Sequence, residues 1–287
     1  MQHDDYQLLD SGNFQKLEQV GPYRIVRPSP QAVWRPRLGK DQWEQVDAKY
    51  ERFSGGDGTW HRHNQRLPQE WQMNYGGLRF LIRLTDFGHL GLFAEQVNNW
   101  QRLRELSQNG LKQRDEFQVL NLFAYTGASS LAAAQGGAHV VHLDASKTSV
   151  SWGREQAELN GLQDKPIRWI IDDAMKFVSR EVRRNRKYHG IILDPPSFGR
   201  GNRGEVWKIE EHLCDLLDQL KLILADDFSY VMLSSHSNGY TPLAMRNLLS
   251  DILPEVSGQY LLEEMVVPEK DSGRTLPSGA CCLFVRD

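Results

Sequence analysis

Acidic side chains follow three apolar runs of the sequence, at the residues where each run ends. Asp144 follows HVVHL, Asp172 and Asp173 follow IRWII, and Asp194 follows GIIL. If these runs are parallel strands, their carboxyl ends meet at the sheet edge where ligands bind. Carboxylates there can accept hydrogen bonds from a ribose diol, an adenine amino group or the N–H of a planar amine. The order of these residues predicts an adenosine pocket beside a substrate site.

A single glycine marks the turn after the preceding apolar run. In NLFAYTGASS, Gly127 stands where a strand must change into a helix, which favours a close backbone approach or a positive φ. An ordinary tight turn is the alternative. Because Ala128 and Ser129 follow, the segment is not GxGxxG, and a dinucleotide pyrophosphate site gains little support.

Helix capping is the alternative role for the acidic residues. Asp144 could cap the next helix, but Ser146 could do so instead and leave Asp144 for a ribose. Of the adjacent Asp172 and Asp173, one could accept from an adenine amine while the other caps its helix.

The segment DPPSF follows the fourth expected strand. Its members are Asp194, Pro195, Pro196, Ser197 and Phe198. Two consecutive prolines fix φ and remove two N–H donors, which predicts a rigid corner. Asp194 and the Pro195 carbonyl can then accept hydrogen bonds from a planar amine, and Phe198 offers a face for stacking. A purely structural Pro-Pro turn is the alternative.

Strand-like and helical segments alternate from about Phe117 onward. The expected strands are 117–123, 139–145, 166–172, 188–194 and 229–235, with helices at 127–135, 147–160, 174–184, 205–224 and 242–252. Two last strands, 259–267 and 280–286, have only a loop between them and should pair antiparallel at the sheet edge. Strict alternation implies parallel pairing with right-handed crossovers. The expected fold is therefore α/β, with a doubly wound seven-stranded sheet.

The first 95 residues differ from the rest of the chain. They contain four of the eight tryptophans and short runs such as LRFLIRL, separated by Gly and Pro. Such runs predict a small β-rich, antiparallel unit. We therefore expect an N-terminal domain over residues 1–95, which could bind substrate, and a second domain over residues 96–287.

Composition excludes several classes of protein. With 287 residues, 40% hydrophobic and 25% charged, the chain is neither disordered nor fibrous. No apolar run approaches the ~18 residues that span a bilayer, so no membrane partner is expected. Three cysteines are too few for disulfide bonds to stabilise a chain of this size, which favours a reducing cytosol and a cytoplasmic protein. A net charge of −3 excludes strong delocalised binding to nucleic acid but leaves a local basic groove open. The oligomeric state does not follow from the sequence.

The motifs LNLFAYTG, LDAS, DDA and DPPSF, at these spacings, resemble those of class I S-adenosylmethionine-dependent methyltransferases. The likeness is strongest to the large-subunit 23S rRNA methyltransferases, which include 5-methylcytosine and 7-methylguanine enzymes. It covers about residues 88–287 well and the N-terminal part loosely. The resemblance implies a Rossmann-like fold, S-adenosyl-L-methionine as cofactor and an RNA substrate, rRNA in particular.

The resemblance also implies roles for individual residues. These are Asn121, Phe123, Tyr125, Thr126 and Gly127 for the methionine end of the cofactor, Asp144, Ala145 and Ser146 for the ribose, and Asp173 and Ala174 for the adenine. Asp194 and Pro195, with the rest of DPPSF, would line the methyl-transfer site. GLFAEQ (91–96) resembles the segment that folds over the cofactor, with Gln96 in contact. An ordinary connector between domains is the alternative.

Cysteine placement departs from the 5-methylcytosine enzymes. Methylation at cytosine C5 needs a thiolate, which in relatives follows strand five or lies beside the strand-four motif, but SSHSNGY (234–240) and DPPSF have none. Leucines at helical spacing predict that Cys214 is a core residue, and Cys281 and Cys282 are expected far from the catalytic edge. We therefore predict transfer to a nitrogen of a nucleobase without a covalent cysteine intermediate. His236 could remove the remaining proton, a core or capping histidine being the alternative.

Arginines after DPPSF are the expected phosphate contacts. Arg200 and Arg203 are placed for this, whereas the basic run 180–187 fits a helix C-terminus at the opposite edge. His61 and His63 have no carboxylate or cysteine at metal-ligand spacing, so no metal is expected. A protein side chain or small-molecule amine remains open as substrate. A nicotinamide-dependent oxidoreductase and a non-catalytic RNA-binding protein are the alternatives from other classes.

Overall fold

The computed structural model describes residues 4–53, 57–201 and 204–287. The chain divides into two compact units. The first is Met1–Val97 with Val266–Ser278, and the second is Asn98–Met265 with Gly279–Asp287. Residues 266–278, expected in the second domain, therefore cluster with the first unit. The boundary between residues 95 and 96 stays a prediction.

The first unit is rich in β-structure. Its elements are β1 (Tyr6–Gly12), β2 (Gln15–Val20), β3 (Tyr23–Pro28), α1 (Lys40–Glu44), β4 (Ala48–Arg52), β5 (Gly58–Arg62), β6 (Glu70–Tyr75), β7 (Leu78–Arg83) and a 3-10 helix (Ala94–Gln96). Strands β1 to β5 form one sheet in chain order, and β6 pairs with β7. The pair β3–β4 is parallel, whereas β1–β2, β2–β3 and β4–β5 are antiparallel. The expected β-rich unit is confirmed, and its expected antiparallel pairing holds except at β3–β4.

The alternating segments belong to the second unit, although Val97 and the parts of the last two strands within residues 266–278 cluster with the first unit. They are α2 (Val97–Leu111), β8 (Gln118–Leu122), α3 (Ala128–Gln135), β9 (His139–Asp144), α4 (Lys147–Leu159), β10 (Ile167–Ile171), α5 (Ala174–Arg183), β11 (Gly190–Leu193), β12 (Phe198–Arg200), β13 (Val206–Lys208), α6 (Ile209–Lys221), β14 (Tyr230–Ser235), α7 (Pro242–Ile252), β15 (Gly258–Pro268) and β16 (Thr275–Arg286). The seven-stranded sheet has the order β10-β9-β8-β11-β14-β16-β15. This doubly wound α/β fold confirms the prediction.

Five neighbouring strands of this sheet are parallel, and β16 is antiparallel to β14. Strands β11 and β14 are buried along their whole length, which explains why they read as continuous apolar runs. Helix α6 covers the sheet with leucines at helical spacing. A parallel sheet covered in this way places its strand ends, and the loops that follow them, at one edge.

Two sequence expectations for the region around α6 are wrong. The helix expected over 205–224 begins at Ile209, because Val206–Lys208 pairs with Phe198–Arg200 as a short antiparallel hairpin. Cys214 is exposed and not a core residue. The helix buries Leu213, Leu216, Leu217 and Leu220. Cys214 follows Leu213 by one residue, about 100° around the helix, and so points away from that face.

The last strand also differs from expectation. Cys281 on β16 lies opposite Ser234, one residue before the carboxyl end of β14. Since β16 runs antiparallel, its early residues reach the edge where the parallel strands end. The expectation that Cys281 is far from this edge is therefore wrong.

Candidate functional site

The carboxyl ends of the parallel strands bring the predicted residues together. Leu122 on β8 lies opposite both Leu143 on β9 and Leu193 on β11, and Leu193 lies opposite Leu233 on β14. The residues after each of these positions therefore leave the sheet at the same level. They include the loop 123–127, Asp144, Asp194 and His236.

The 123–127 loop has an unusual backbone. Phe123, Tyr125 and Gly127 all have positive φ, at 57°, 51° and 89°. Non-glycine residues adopt this conformation at a cost, and such residues cluster at ligand sites. The Tyr125 N–H donates to Asp144 Oδ2 at 2.8 Å, and the Ala124 N–H donates to the Leu143 carbonyl at 3.0 Å. The loop is thus tied to the end of β9.

Both the positive φ of residue 127 and the small space around it require a glycine at this position. A Cβ atom at this position would lie 3.2 Å from His142 Cε1, with φ at +89°. Gly153 on α4 plays a similar part, because its Cβ would lie 2.8 Å from the Trp169 ring and 3.3 Å from the Thr126 carbonyl. Close approach of α4 to Trp169 on β10 and to the Thr126 carbonyl therefore supports the loop from below.

A buried polar network continues beneath the loop. Asn121 Nδ2 donates to Ser130 Oγ at 2.9 Å, and that hydroxyl lies 3.0 Å from His142 Nδ1. The His142 ring packs against Trp169 at 4.5 Å between centroids. Burial lowers the pKa of His142 to about 3, so the imidazole is neutral at physiological pH. Asn121 was predicted to contact cofactor, and here its side chain joins β8 to α3.

His142, Ser130 and Trp169 were missed by the sequence analysis. One signal was present: a polar residue interrupts the apolar run HVVHL at a position where the strand is buried. A polar residue in a buried strand must find a hydrogen-bond partner. That partner, Ser130, lies on the neighbouring helix and cannot be identified from local pattern.

Asp144 keeps acceptor capacity at the end of β9. Its Oδ1 accepts from the Ser146 N–H and its Oδ2 from the Tyr125 N–H, both at 2.8 Å. Ser146 caps α4 by accepting from the Ser149 N–H, so Asp144 is not the helix cap. Burial raises the pKa of Asp144, and the two main-chain hydrogen bonds oppose that rise. Each oxygen retains a second lone-pair direction, which suits a vicinal diol.

At the end of β10, the adjacent residues Asp172 and Asp173 have different partners. Asp173 Oδ1 accepts from the Lys176 N–H and so caps α5, directly before the buried Ala174. Asp172 pairs with Arg180 and accepts from the Asp173 N–H. Ile171 is 45% exposed, which leaves an apolar side chain at the same strand end. Asp173 thus carries a capping bond in addition to any contact with a ligand.

Asp194 and His236 meet at the ends of β11 and β14. His236 Nδ1 lies 3.4 Å from Asp194 Oδ1, and both side chains are partly exposed. Pro195, directly after Asp194, is buried, whereas Pro196 and Ser197 are exposed. A carboxylate and an imidazole in contact at a sheet edge can share the binding of an N–H group and its proton.

The corner formed by residues 194–198, which we call the Pro-Pro corner, is held in place by β13 and α6. Trp207 Nε1 donates to the Pro196 carbonyl at 2.7 Å, and the Ile209 N–H donates to the Ser197 carbonyl at 3.1 Å. Phe198 is 52% exposed and offers its ring to solvent. A planar group can therefore reach this ring.

Arg200 lies on the same hairpin as Phe198. Its guanidinium is 5.8 Å from the centre of the Phe198 ring. Arg203, the other predicted phosphate contact, lies outside the described residues. Gln96 is buried at the end of its 3-10 helix in the first unit. Its contact with cofactor stays a prediction.

The thiols nearest the site are protonated. Cys281 is buried, and burial raises the pKa of its thiol to about 12. Burial has the same effect on Cys282. A protonated, buried thiol is a poor nucleophile, so neither cysteine is prepared to add to a pyrimidine.

The described part of the chain holds neither a metal-binding cluster nor a helix that could cross a membrane. No group of three or more His, Cys, Asp or Glu there could hold a metal ion. None of the helices within residues 4–53, 57–201 and 204–287 is long and apolar enough to cross a membrane.

Comparisons with known proteins agree on one family. The family model described as S-adenosylmethionine-dependent methyltransferase matches residues 52–223. The crystal structure of an S-adenosylmethionine-dependent methyltransferase from Agrobacterium tumefaciens is 39% identical, with a TM-score of 0.92. That match covers 99% of this chain and 91% of the Agrobacterium chain.

The curated relatives are longer proteins. The ribosomal RNA large subunit methyltransferase K/L of Alteromonas mediterranea is 31% identical over 190 residues, which is 62% of this chain and 26% of the relative. The protein of the same name from Pseudoalteromonas atlantica is 29% identical over 247 residues, 82% of this chain and 31% of the relative. The chain thus spans between 26% and 31% of the length of these two relatives.

Replacing Gly127 should weaken cofactor binding. In Gly127→Ala, the new Cβ meets His142 at a positive φ, which must distort the 123–127 loop. We expect about a tenfold rise in the Kd for S-adenosylhomocysteine and a free energy of unfolding lower by ~1–3 kcal/mol. Calorimetric titration and denaturant unfolding measure the two quantities.

Gly161→Ala is the matched control, because Gly161 also has positive φ but no heavy atom within 4 Å of a new Cβ. It should lower stability and leave the Kd unchanged. Equal effects of the two variants on the Kd would contradict the requirement for space at Gly127.

His142 should make stability fall in mild acid. The unfolded imidazole binds a proton near its usual pKa of 6.5, whereas the folded one does so only near 3. Lowering the pH below 6.5 therefore favours the unfolded state. At pH 5.5 this lowers the free energy of unfolding by ~1.4 kcal/mol. Between pH 7.5 and pH 5.5, we expect the free energy of unfolding of wild type to fall by that amount relative to that of His142→Gln. Urea unfolding at both pH values measures it, and a constant difference would contradict a neutral buried histidine.

Proposed function

Because the chain belongs to the S-adenosylmethionine-dependent methyltransferase family, we propose that it transfers a methyl group to a nitrogen of a nucleobase in ribosomal RNA. The observation that carries this proposal is the contact of Asp194 and His236 beside the rigid Pro-Pro corner. The corner adjoins the loop after β8, so acceptor and donor groups have neighbouring positions along one sheet edge.

Ribosomal RNA is the substrate that the curated relatives suggest. Both relatives described above carry the name ribosomal RNA large subunit methyltransferase K/L. The exposed Phe198 ring suits stacking of a base, and Arg200 beside it suits a phosphate. With a net charge of −3, the chain would bind RNA through such local contacts and not through an overall positive field.

The residues at the strand ends fit S-adenosylmethionine. Asp144 would accept from the two ribose hydroxyls through its remaining lone pairs, and Ala145 and Ser146 follow it at the same strand end. Asp173 and Ala174 would face the adenine beside the exposed Ile171. The 123–127 loop, kept open by Gly127, would hold the methionine end, and Gln96 is the proposed further contact. When bound, this cofactor supplies a methyl group on a positively charged sulfur.

The protein's own part in the reaction would be alignment and proton handling. Asp194 and the Pro195 carbonyl accept hydrogen bonds from the N–H groups of the base and so aim a nitrogen lone pair. Phe198 holds the ring plane by stacking. His236 would receive the proton that an amino nitrogen of the base releases when it takes the methyl group.

No covalent enzyme intermediate belongs to this mechanism. The Cys281 and Cys282 thiols are buried and protonated, and Cys214 is on the exposed side of α6. A ring or amino nitrogen already carries the electron pair that attacks, so no activating thiolate is needed. Carbon methylation at cytosine would need one.

Asp194→Ala should strongly lower turnover while cofactor still binds. Loss of the carboxylate removes the acceptor that orients the base, and we expect kcat to fall about 100-fold. Transfer of labelled methyl groups to rRNA from a strain lacking the gene measures turnover, and mapping of the modified nucleotide identifies the nitrogen.

Asp251→Ala is the control, because Asp251 is exposed on α7 away from the strand ends. It should leave turnover unchanged. Near-normal turnover of Asp194→Ala would remove that residue from the mechanism. Labelling of protein or a small amine, with none in rRNA, would replace the proposed substrate.

Replacing all three cysteines by alanine should leave methyl transfer intact. Two of the positions are buried, so we expect a lower melting temperature but turnover within about threefold of wild type below that temperature. Turnover is measured per cofactor-binding site, counted by titration with S-adenosylhomocysteine. A variant that binds cofactor normally and transfers no methyl group would show that a cysteine takes part in the chemistry.

A further inference from the structure

Trp207 contacts two separate parts of the site. Its indole N–H donates to the Pro196 carbonyl at 2.7 Å, and its ring lies 4.7 Å from the Phe123 ring, centre to centre. The residue is 6% exposed, although it belongs to a three-residue strand on the surface hairpin. One buried side chain therefore joins the Pro-Pro corner to the first residue of the 123–127 loop.

On the loop side, the contact supports a strained conformation. Phe123 has a φ of 57°, which is costly for an aromatic residue and persists only where packing holds it. Trp207 supplies that packing with its ring centre 4.7 Å from that of Phe123, within the distance range of favourable aromatic pairs. Two residues further on, the Tyr125 N–H binds Asp144. A change in the position of Phe123 would therefore move the Tyr125 N–H, which holds the proposed ribose-binding carboxylate of Asp144.

On the corner side, Trp207 and the start of α6 act together. The Pro196 carbonyl accepts from Trp207 and the Ser197 carbonyl from the Ile209 N–H. His212, whose Nδ1 is within 3.0 Å of the Lys208 N–H, stacks with Trp207 at 5.7 Å and 29°. The indole on β13 is therefore also held by a residue of α6, the helix that follows it.

We propose that Trp207 is a positioning residue that sets the separation between the 123–127 loop and the Pro-Pro corner. The two parts follow β8 and β11, neighbouring strands that the backbone register aligns only as far as Leu122 and Leu193. Beyond those residues, Trp207 contacts both loops, through the Pro196 carbonyl on one side and the Phe123 ring on the other. This inference rests on the proposed function, because the two parts would hold the methyl donor and the acceptor nitrogen.

Trp207→Phe separates the hydrogen bond from the ring contact. It keeps an aromatic ring against Phe123 and removes the donor to Pro196, so the corner is released while the loop stays supported. We expect kcat to fall about tenfold, since small misplacements of reacting groups are costly. The Kd for S-adenosylhomocysteine should stay within about twofold of wild type.

Trp207→Leu and Phe123→Leu test the ring contact without any substrate. Each removes one partner of the aromatic pair, and we expect each to raise the Kd for S-adenosylhomocysteine about tenfold. If the two rings act through each other, the double variant should bind about as weakly as either single variant. Calorimetric titration measures all four proteins.

Phe228→Leu is the control for a merely structural role. Phe228 is buried in the same hydrophobic core as Trp207 but packs against Phe284 on the last strand. This variant should lower the melting temperature about as much as Trp207→Phe does. Its kcat and Kd, measured below that temperature, should match wild type.

The outcomes distinguish this proposal from the proposed function. A Trp207→Phe protein with wild-type kcat would overturn the positioning role. A decrease in kcat of the same size in Phe228→Leu would also overturn it. Fully additive effects on the Kd in the double variant would overturn it as well. Should wild type methylate no RNA, the proposed function fails, and the binding cycle alone then decides whether Trp207 acts on the loop.

Discussion

The parallel register of β8, β9 and β11 is the constraint on which the site depends. Leu122 lies between Leu143 and Leu193, so the chains leave these strands at one level. Only then can the Tyr125 N–H reach the Asp144 carboxylate and the Ala124 N–H the Leu143 carbonyl. A slip by one residue would turn every side chain of a strand to its other face and break both contacts.

Support for the 123–127 loop comes from several directions. Its positive φ values are held from below by the buried, neutral His142 and from the side of β11 by Trp207. Strain of this kind persists where the surroundings over-determine the backbone. The loop can therefore keep its main-chain groups in one arrangement, which is the condition for preorganised binding of the proposed cofactor.

Much of the fold followed from local pattern. Apolar runs indicate buried strands and a period of 3.6 residues indicates helices, so a doubly wound seven-stranded sheet was predictable, although the order of its strands was not predicted. The hairpin of β12 and β13 was not predicted, because strands of three residues carry no periodicity. The positions of Asp144 and Asp194 at the ends of strands could be predicted from the sequence, whereas the contacts of His142 and Trp207 could not. Those two act through partners distant in the chain.

Three features follow from the amino-acid sequence alone: the alternation of strands and helices, the acidic residues at the strand ends and the rigid double proline. Each is a property of neighbours along the chain. Tertiary structure decided what those residues meet: Asp194 beside His236, Cys281 beside the carboxyl end of β14, Trp207 between loop and corner. The physical reason is that such contacts follow from strand register and close packing, which join residues far apart in sequence and leave no local pattern.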